Sequence, residues 1–214
     1  KCYYDSKDTR NSFVKLIENE NYNFSRYNFF LINYLLHKKK VNEAKKIAQD
    51  SREKFNKNLI IKETENFLIH NKIYKIKKIF DCKNPRDVIA EFFYIISNLY
   101  SSEEDYEQSN FFLNISFLLN NRFEPNKALL AENFYYQRRF KDSKKIYDSL
   151  KFFGPTYSWH SSKNIASILD NTAGEEESIL SLKESFDLIK NPKIEYFFDL
   201  ANFYKDRDYF KDSV

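Results

Sequence analysis

The sequence contains very little glycine. Only 2 of its 214 residues are Gly and 4 are Pro, whereas average usage of about 7% would give roughly fifteen glycines. Tight β-hairpins depend on residues that adopt positive φ, so a chain this poor in Gly disfavours sheets joined by short turns. A mostly helical chain is predicted.

Disulfides and membrane spans are also not indicated. Cys2 and Cys82 give no disulfide framework and no metal-ligand spacing. The longest apolar stretch, Phe29 to Leu36, is interrupted by Asn33 and is too short to cross a bilayer. No signal peptide is visible. The chain begins with Lys and contains no Met, so the compartment is left open. We expect no insertion of this segment into a membrane.

The charge is balanced. The chain has 35 basic and 31 acidic residues, a net charge of +4, and the two signs are interspersed. Nucleic-acid binders usually concentrate basic residues on one face, so this distribution disfavours a nucleic-acid partner. Aromatic residues reach 18%, and the abundance of Lys, Asn, Ile, Phe and Tyr is typical of an A+T-rich genome.

Small residues recur with a period of 32 to 35 residues. In the second helix of each predicted pair they fall at Ala44, Ile76, Ser109, Ser143, Ser178 and Ser213. Twelve residues earlier, the first helices carry Ile32, Thr64, Ser97, Ala131, Ala166 and Ala201. Two helices approach closely where small side chains face each other and large ones fill the space on either side. Ile32, Ile76 and Glu63 depart from this pattern, so the second repeat is the weakest.

This pattern resembles the tetratricopeptide repeat, whose period is about 34 residues. The resemblance implies an all-α fold, a right-handed α-solenoid of stacked antiparallel helix pairs. Residues 1–24 are interpreted as an N-terminal capping helix or the tail of an earlier repeat. The repeats are predicted at 25–56, 57–89, 90–123, 124–158, 159–193 and 194–214. The last is truncated, and we expect a fragment of a longer array. Junctions and turns are predicted at Pro85, Pro125, Pro155, Pro192, Gly154 and Gly174.

No catalytic or cofactor-binding motif is recognisable. His37, His70 and His160 are scattered and have no ligand spacing. Two isolated glycines cannot form a phosphate-binding loop. We therefore predict no catalytic residue, no metal and no cofactor, and a packing role for Trp159.

The family resemblance implies that the first helices line a concave groove that holds an extended or helical segment of a partner. An Asn amide in such a groove offers both a donor and an acceptor to a peptide backbone. The predicted partner-binding positions are Asn33, Glu65, Tyr94, Asn98, Glu132, Tyr135 and Asn202. The basic residues of the family's carboxylate clamp are replaced by Phe29 and Ile61.

The resulting hypothesis is a non-catalytic scaffold or adaptor that binds a protein or peptide. The alternative is a docking or regulatory segment of a larger enzyme whose catalytic part lies outside residues 1–214. An RNA-binding helical repeat is less favoured, because the groove positions lack an Arg/Lys series. Self-association through the repeat ends is left open.

Overall fold

A computed structural model describes residues 1–18, 25–55 and 57–207 of the chain. Within these ranges the fold is all-α, with twelve α-helices, one short 3-10 turn at Glu124–Asn126 and no strand. The helices are α1 Thr9–Ile17, α2 Tyr27–His37, α3 Val41–Lys54, α4 Leu59–Ile69, α5 Ile73–Ile79, α6 Pro85–Ser102, α7 Tyr106–Leu119, α8 Lys127–Tyr136, α9 Phe140–Leu150, α10 Pro155–Thr172, α11 Glu175–Asp187 and α12 Ile194–Lys205.

Two prolines open the two longest helices, as predicted from their positions at repeat junctions. Pro85 and Pro155 each occupy the first turn of an 18-residue helix, α6 and α10. Proline suits this position because the first N–H groups of a helix have no intrahelical partner. The Asn84 side chain also caps α6, where its Oδ1 accepts from the backbone N–H of Arg86 at 3.1 Å.

The helices occur as pairs in contact, α2 with α3, α4 with α5, α6 with α7, α8 with α9 and α10 with α11. A short turn joins each pair, and one residue of every turn has positive φ. These residues are Lys39, Asn71, Glu104, Arg138 and Gly174, with φ between 55° and 101°. The first four are 32, 33 and 34 residues apart, which is the spacing of the small residues.

The turns share a hydrogen-bond pattern. After α8, the Arg139 N–H donates to the Phe134 carbonyl at 2.8 Å, and the Arg138 N–H donates to the Tyr135 carbonyl at 2.9 Å. This is the Schellman motif, which satisfies carbonyls at a helix C-terminus and usually places Gly at the left-handed residue. The same two bonds recur at Lys39–Lys40, Asn71–Lys72 and Glu104–Asp105. The chain therefore repeats a turn that favours Gly with almost no Gly in it.

In the pairs α8–α9 and α10–α11, the small residues lie where the two helices come close together. Ser143 Oγ donates to the Ala131 carbonyl, and Ser178 Oγ donates to the Ala166 carbonyl, both at 2.8 Å. These four residues are fully buried. The hydroxyl of a small residue can reach a backbone carbonyl of the neighbouring helix only where no large side chain separates the two helices. The predicted period is thus a packing period.

The second pair is the least regular, as expected. α5 has only seven residues and is followed by Phe80, whose backbone is extended. Ile76, which replaces a small residue, is completely buried there.

The chain divides into two compact units, Lys1–Asn126 and Lys127–Val214. The first, which we call unit 1, contains α1 to α7. Its core includes four buried rings, with Phe30 packed edge-on against Phe80 at 4.6 Å and Phe29 against Phe123 at 5.5 Å between ring centroids.

The second, unit 2, contains α8 to α12. Its core includes Trp159, which is buried against Leu182 and Tyr196. The predicted packing role of Trp159 is confirmed.

One prediction about unit 1 is wrong. Cys2 and Cys82 form a disulfide, with their Cα atoms 5.7 Å apart, although 80 residues separate them in the chain. Two cysteines make no recognisable framework in a sequence, and only tertiary packing brings this pair together. Nearby, Asp5 pairs with Lys38 and Lys83. The N-terminal segment is therefore attached both to the end of α2 and to the connection before α6.

Within the described ranges, no helix is both long enough and apolar enough to cross a membrane.

Candidate binding surfaces

The predicted partner-binding residues of unit 1 differ in their surroundings. Asn33 on α2 is only 1% exposed, and its Nδ2 donates to the carbonyls of Ile76 and Phe80 at 2.9 and 3.0 Å. Its amide satisfies the C-terminal end of α5 and does not face solvent. Glu65 on α4 is partly buried 3.7 Å from Arg52, whereas Asn98 on α6 is exposed.

Tyr94, the fourth of these residues, belongs to an arginine site. The guanidinium of Arg26 lies 3.9 Å from the centroid of the Tyr94 ring. It also donates to both carboxylate oxygens of Glu91, at 2.8 and 2.9 Å, and to Asn126 Oδ1 at 2.7 Å. Glu91 and Tyr94 are three residues apart on α6, so the carboxylate and the ring lie on the same side of the helix. Together they bind one guanidinium by a bidentate ion pair and a cation–π contact.

The predicted residues of unit 2 include the same combination. Glu132 and Tyr135 are also three residues apart, on α8, and Tyr136 follows. Tyr135 OH accepts from Asn171 Nδ2 of α10 at 3.3 Å, and the Tyr135 and Tyr136 rings meet edge-on at 5.7 Å. Among the described residues, neither a cation nor a hydrogen-bond donor pairs with the Glu132 carboxylate. Its burial without a partner raises the pKa of Glu132.

Tyr147 of α9 is electrostatically coupled to this carboxylate. It is 1% exposed, and its hydroxyl has no hydrogen-bond partner among the described residues. Burial raises the pKa of Tyr147 well above its ordinary value, and the charges of Glu132, Tyr136 and Tyr135 add to this effect. An unsatisfied buried hydroxyl is uncommon, since leaving one unpaired costs about 1–3 kcal/mol.

His160 of α10 completes the buried part of this region. Its ring meets the Tyr147 ring at 5.8 Å. Burial lowers the pKa of His160 to about 4, with a smaller contribution in the same direction from Lys163. The imidazole is therefore neutral at pH 7. Asp199 of α12 lies close enough to oppose this shift.

The two charged residues that affect the pKa of His160 pair with each other. Lys163 Nζ lies 2.8 Å from Asp199 Oδ2, which also accepts from Trp159 Nε1 at 2.7 Å. Asn202, the last predicted residue, is exposed on α12.

An apolar stripe on α6, which we call the α6 stripe, is exposed in unit 1. Val88, Phe92, Ile95 and Leu99 follow the i, i+4, i+7, i+11 spacing of one helix face and are 40%, 59%, 37% and 61% exposed. Its first three residues line a cavity of about 230 Å³, whose other walls include the disulfide and Phe30.

No protein-family model matches the sequence, and a comparison with curated proteins found no similar chain.

Among the described residues, no group of three His, Cys, Asp or Glu side chains is placed to hold a metal ion. Two features of these surfaces have no clear sequence signal. The residues of the α6 stripe are interspersed along the sequence with the apolar residues of α6 that pack against α7. The sequence of α6 is therefore apolar on both faces, and it does not show which face is exposed. Tyr147 occupies a large-residue position of the repeat, and only its hydroxyl distinguishes it from the Phe that would pack equally well.

Proposed function

We propose that this chain is a helical-repeat protein of the tetratricopeptide type that binds another polypeptide, as a scaffold or adaptor without catalysis of its own. The observation that carries this proposal is the α6 stripe. Soluble proteins rarely expose contiguous apolar patches of large side chains, and those that do commonly use them for recognition.

The proposed architecture is a right-handed solenoid of antiparallel helix pairs. Its support is the coincidence of three periods in the chain. The buried residues at the repeat position of the second helices and the starts of these helices recur at 32 to 35 residues, and the turn residues with positive φ recur at 32 to 36 residues. A helix pair of this kind cannot bury its apolar face alone, so neighbouring pairs stack.

The proposed partner segment is an amphipathic helix or an extended peptide with large apolar side chains. Four apolar residues along one helix face span about 16 Å at 1.5 Å per residue, a length that matches three turns of a partner helix. Asn98 flanks the stripe and is exposed, so its amide is available to the partner backbone.

The proposal can be tested by selecting peptides that bind the purified chain from a random dodecapeptide library. We expect selected peptides to be rich in Leu, Ile, Phe or Trp at helical spacing. Phe92→Ser and Leu99→Ser should weaken their binding by about tenfold or more, since anchors at an interface centre dominate affinity. Leu188→Ser is the matched control, because Leu188 is equally apolar and 84% exposed in unit 2.

All three substituted side chains are more than half exposed, so the variants should keep the melting temperature of the wild type. Selection of no peptide, or equal loss of binding in the Leu188→Ser control, would show that the α6 stripe is not a recognition surface.

A further inference from the structure

The chain contains the same pair of side chains, a glutamate and a tyrosine three residues apart on a helix, in both units. On α6, the segment Glu91-Phe92-Phe93-Tyr94 binds the Arg26 side chain of the chain itself. On α8, the segment Glu132-Asn133-Phe134-Tyr135 presents the same two functional groups at the same spacing. Nothing in the described part of the chain neutralises Glu132.

We propose that Glu132 and Tyr135 form a binding site for an arginine side chain of a polypeptide partner. The inference rests on the proposed function, because it takes the arginine from a bound protein. It adds the chemistry of one partner residue and assigns its binding site to unit 2, whereas the α6 stripe belongs to unit 1.

The chemistry of the site favours an organic cation. A single carboxylate is too few ligands for Ca²⁺, which takes six to eight oxygens, or for Mg²⁺, which requires near-octahedral geometry. A guanidinium suits the site better than an ammonium does, because its planar fork matches both carboxylate oxygens while its face stacks on a ring. The Arg26 site demonstrates this geometry, with two charge-assisted bonds and a ring at 3.9 Å.

The Tyr147 hydroxyl is a second polar group without a partner among the described residues. The charges of Glu132, Tyr136 and Tyr135 each add to the raised pKa of Tyr147, so the Tyr147 hydroxyl is electrostatically coupled to both residues of the proposed site. It is fully buried and unpaired. In the Arg26 site, by contrast, a third polar group, Asn126 Oδ1, also accepts from the guanidinium. We expect the Tyr147 oxygen to accept from bound arginine or to donate to the Glu132 carboxylate that holds it.

The first experiment compares three proteins against one dodecapeptide library: wild type, Glu132→Gln and the control Glu184→Gln. Glu184 is exposed on α11, so the control makes the same change in charge elsewhere in unit 2. Arginine should be enriched at one peptide position with the wild type and with Glu184→Gln, and this enrichment should disappear with Glu132→Gln. Enrichment of lysine to the same degree as arginine would contradict guanidinium recognition.

The second experiment measures coupling between the two groups. A selected peptide is synthesised with its arginine and again with citrulline, which has nearly the same shape without the charge. Replacing arginine by citrulline should weaken binding of the peptide to the wild type by about tenfold. The same replacement should weaken binding to Glu132→Gln by less than about twofold, because this variant cannot form the ion pair with either peptide.

The outcomes separate the two proposals. Peptides that bind without arginine enrichment, or that lose affinity equally to both proteins on citrulline substitution, overturn the arginine site and leave polypeptide binding standing. Selection of no peptide at all overturns both. Folding is monitored by thermal melts, in which Glu132→Gln should be at least as stable as the wild type because no described residue bonds to the carboxylate it removes.

Discussion

Units 1 and 2 are both built from paired helices, but they differ in whether certain charged and polar groups have partners. In unit 1, Arg26 joins Glu91, Tyr94 and Asn126, and Asn33 satisfies the end of α5. In unit 2, Glu132 and the Tyr147 hydroxyl have no partner within the described residues. A polar group that is internally satisfied stabilises the fold, whereas a buried one without a partner costs stability.

The largest expected effect comes from the disulfide, which also distinguishes the two units. Both cysteines lie in unit 1, and unit 2 has none. Closing a loop of 80 residues should stabilise unit 1 by about 4 kcal/mol through the unfolded chain. We expect a reductant to lower the melting temperature of the wild type and to leave the Cys2→Ser/Cys82→Ser variant unchanged. Two reactive thiols in the denatured, unreduced protein would contradict the bond.

Removal of Arg26 should convert the occupied site into an empty one. Arg26→Leu leaves the Glu91 carboxylate, which is 12% exposed, without its partner. We expect a loss of about 3 kcal/mol in the free energy of unfolding, since a buried charge left unpaired is strongly destabilising. Urea denaturation of the variant provides the measurement.

Adding Glu91→Gln to Arg26→Leu should recover part of this loss, because the double variant no longer buries an unpaired charge. No recovery would mean that Arg26 stabilises unit 1 through its ring contacts alone.

His160 should make unit 2 sensitive to acid. Its pKa is about 4 in the folded protein, against an ordinary value of 6.5. Between these values the unfolded chain binds a proton that the folded chain does not, so stability is full above pH 6.5 and falls as the pH drops to 4. His160→Phe keeps a ring against Tyr147 and cannot titrate.

Over this pH range, the melting temperature of the wild type should fall by about 5 °C more than that of His160→Phe. Parallel curves for the two proteins would show that His160 is protonated equally in both states.

Glu132 should show the opposite dependence on pH. Its pKa is raised in the folded state, so the carboxylate destabilises unit 2 above that pKa, and the cost disappears as the pH falls below the ordinary value near 4.5. Glu132→Gln should therefore melt about 2 °C higher than the wild type at pH 7 and at the same temperature at pH 4. A lower melting temperature at pH 7 would mean that the carboxylate stabilises unit 2.

The smallest expected effects concern the turns with positive φ, which occur in both units. Glu104 and Arg138 adopt positive φ in Schellman turns of unit 1 and unit 2. Glu104→Gly and Arg138→Gly should each stabilise the chain by about 0.5–1 kcal/mol, because the left-handed region strains residues with a Cβ. Lys141→Gly, within α9, is the control and should destabilise by a similar amount. Destabilisation at Glu104 or Arg138 would show that these turns do not adopt positive φ in solution.

Much of the all-α fold could be predicted because its signals are local. The scarcity of Gly and Pro predicts helices, and the spacing of Ser143 from Ala131 predicts where two helices meet. The candidate site was predicted in part. Glu132 and Tyr135 were among the expected groove residues, but the sequence does not show that Glu132 lacks a partner or that Tyr147 is electrostatically coupled to it.

Residues at the same position of the repeat can still differ in burial. Asn33 and Asn98 both follow the small residue of a first helix, yet Asn33 is buried against α5 and Asn98 is exposed. The reason is that α5 ends after seven residues and leaves carbonyls that Asn33 satisfies. Repeat position alone therefore does not decide whether an amide is available to a partner.

The sequence by itself determined the helices, their turns and the small residues at which paired helices touch. These depend on φ preferences and side-chain volumes within about 35 residues. Only the tertiary structure decided which charges are neutralised. Arg26 and Glu91 are 65 residues apart, and Cys2 and Cys82 are 80 apart. Whether a charge or a thiol finds a partner depends on groups that are distant in the chain, and no local periodicity encodes them.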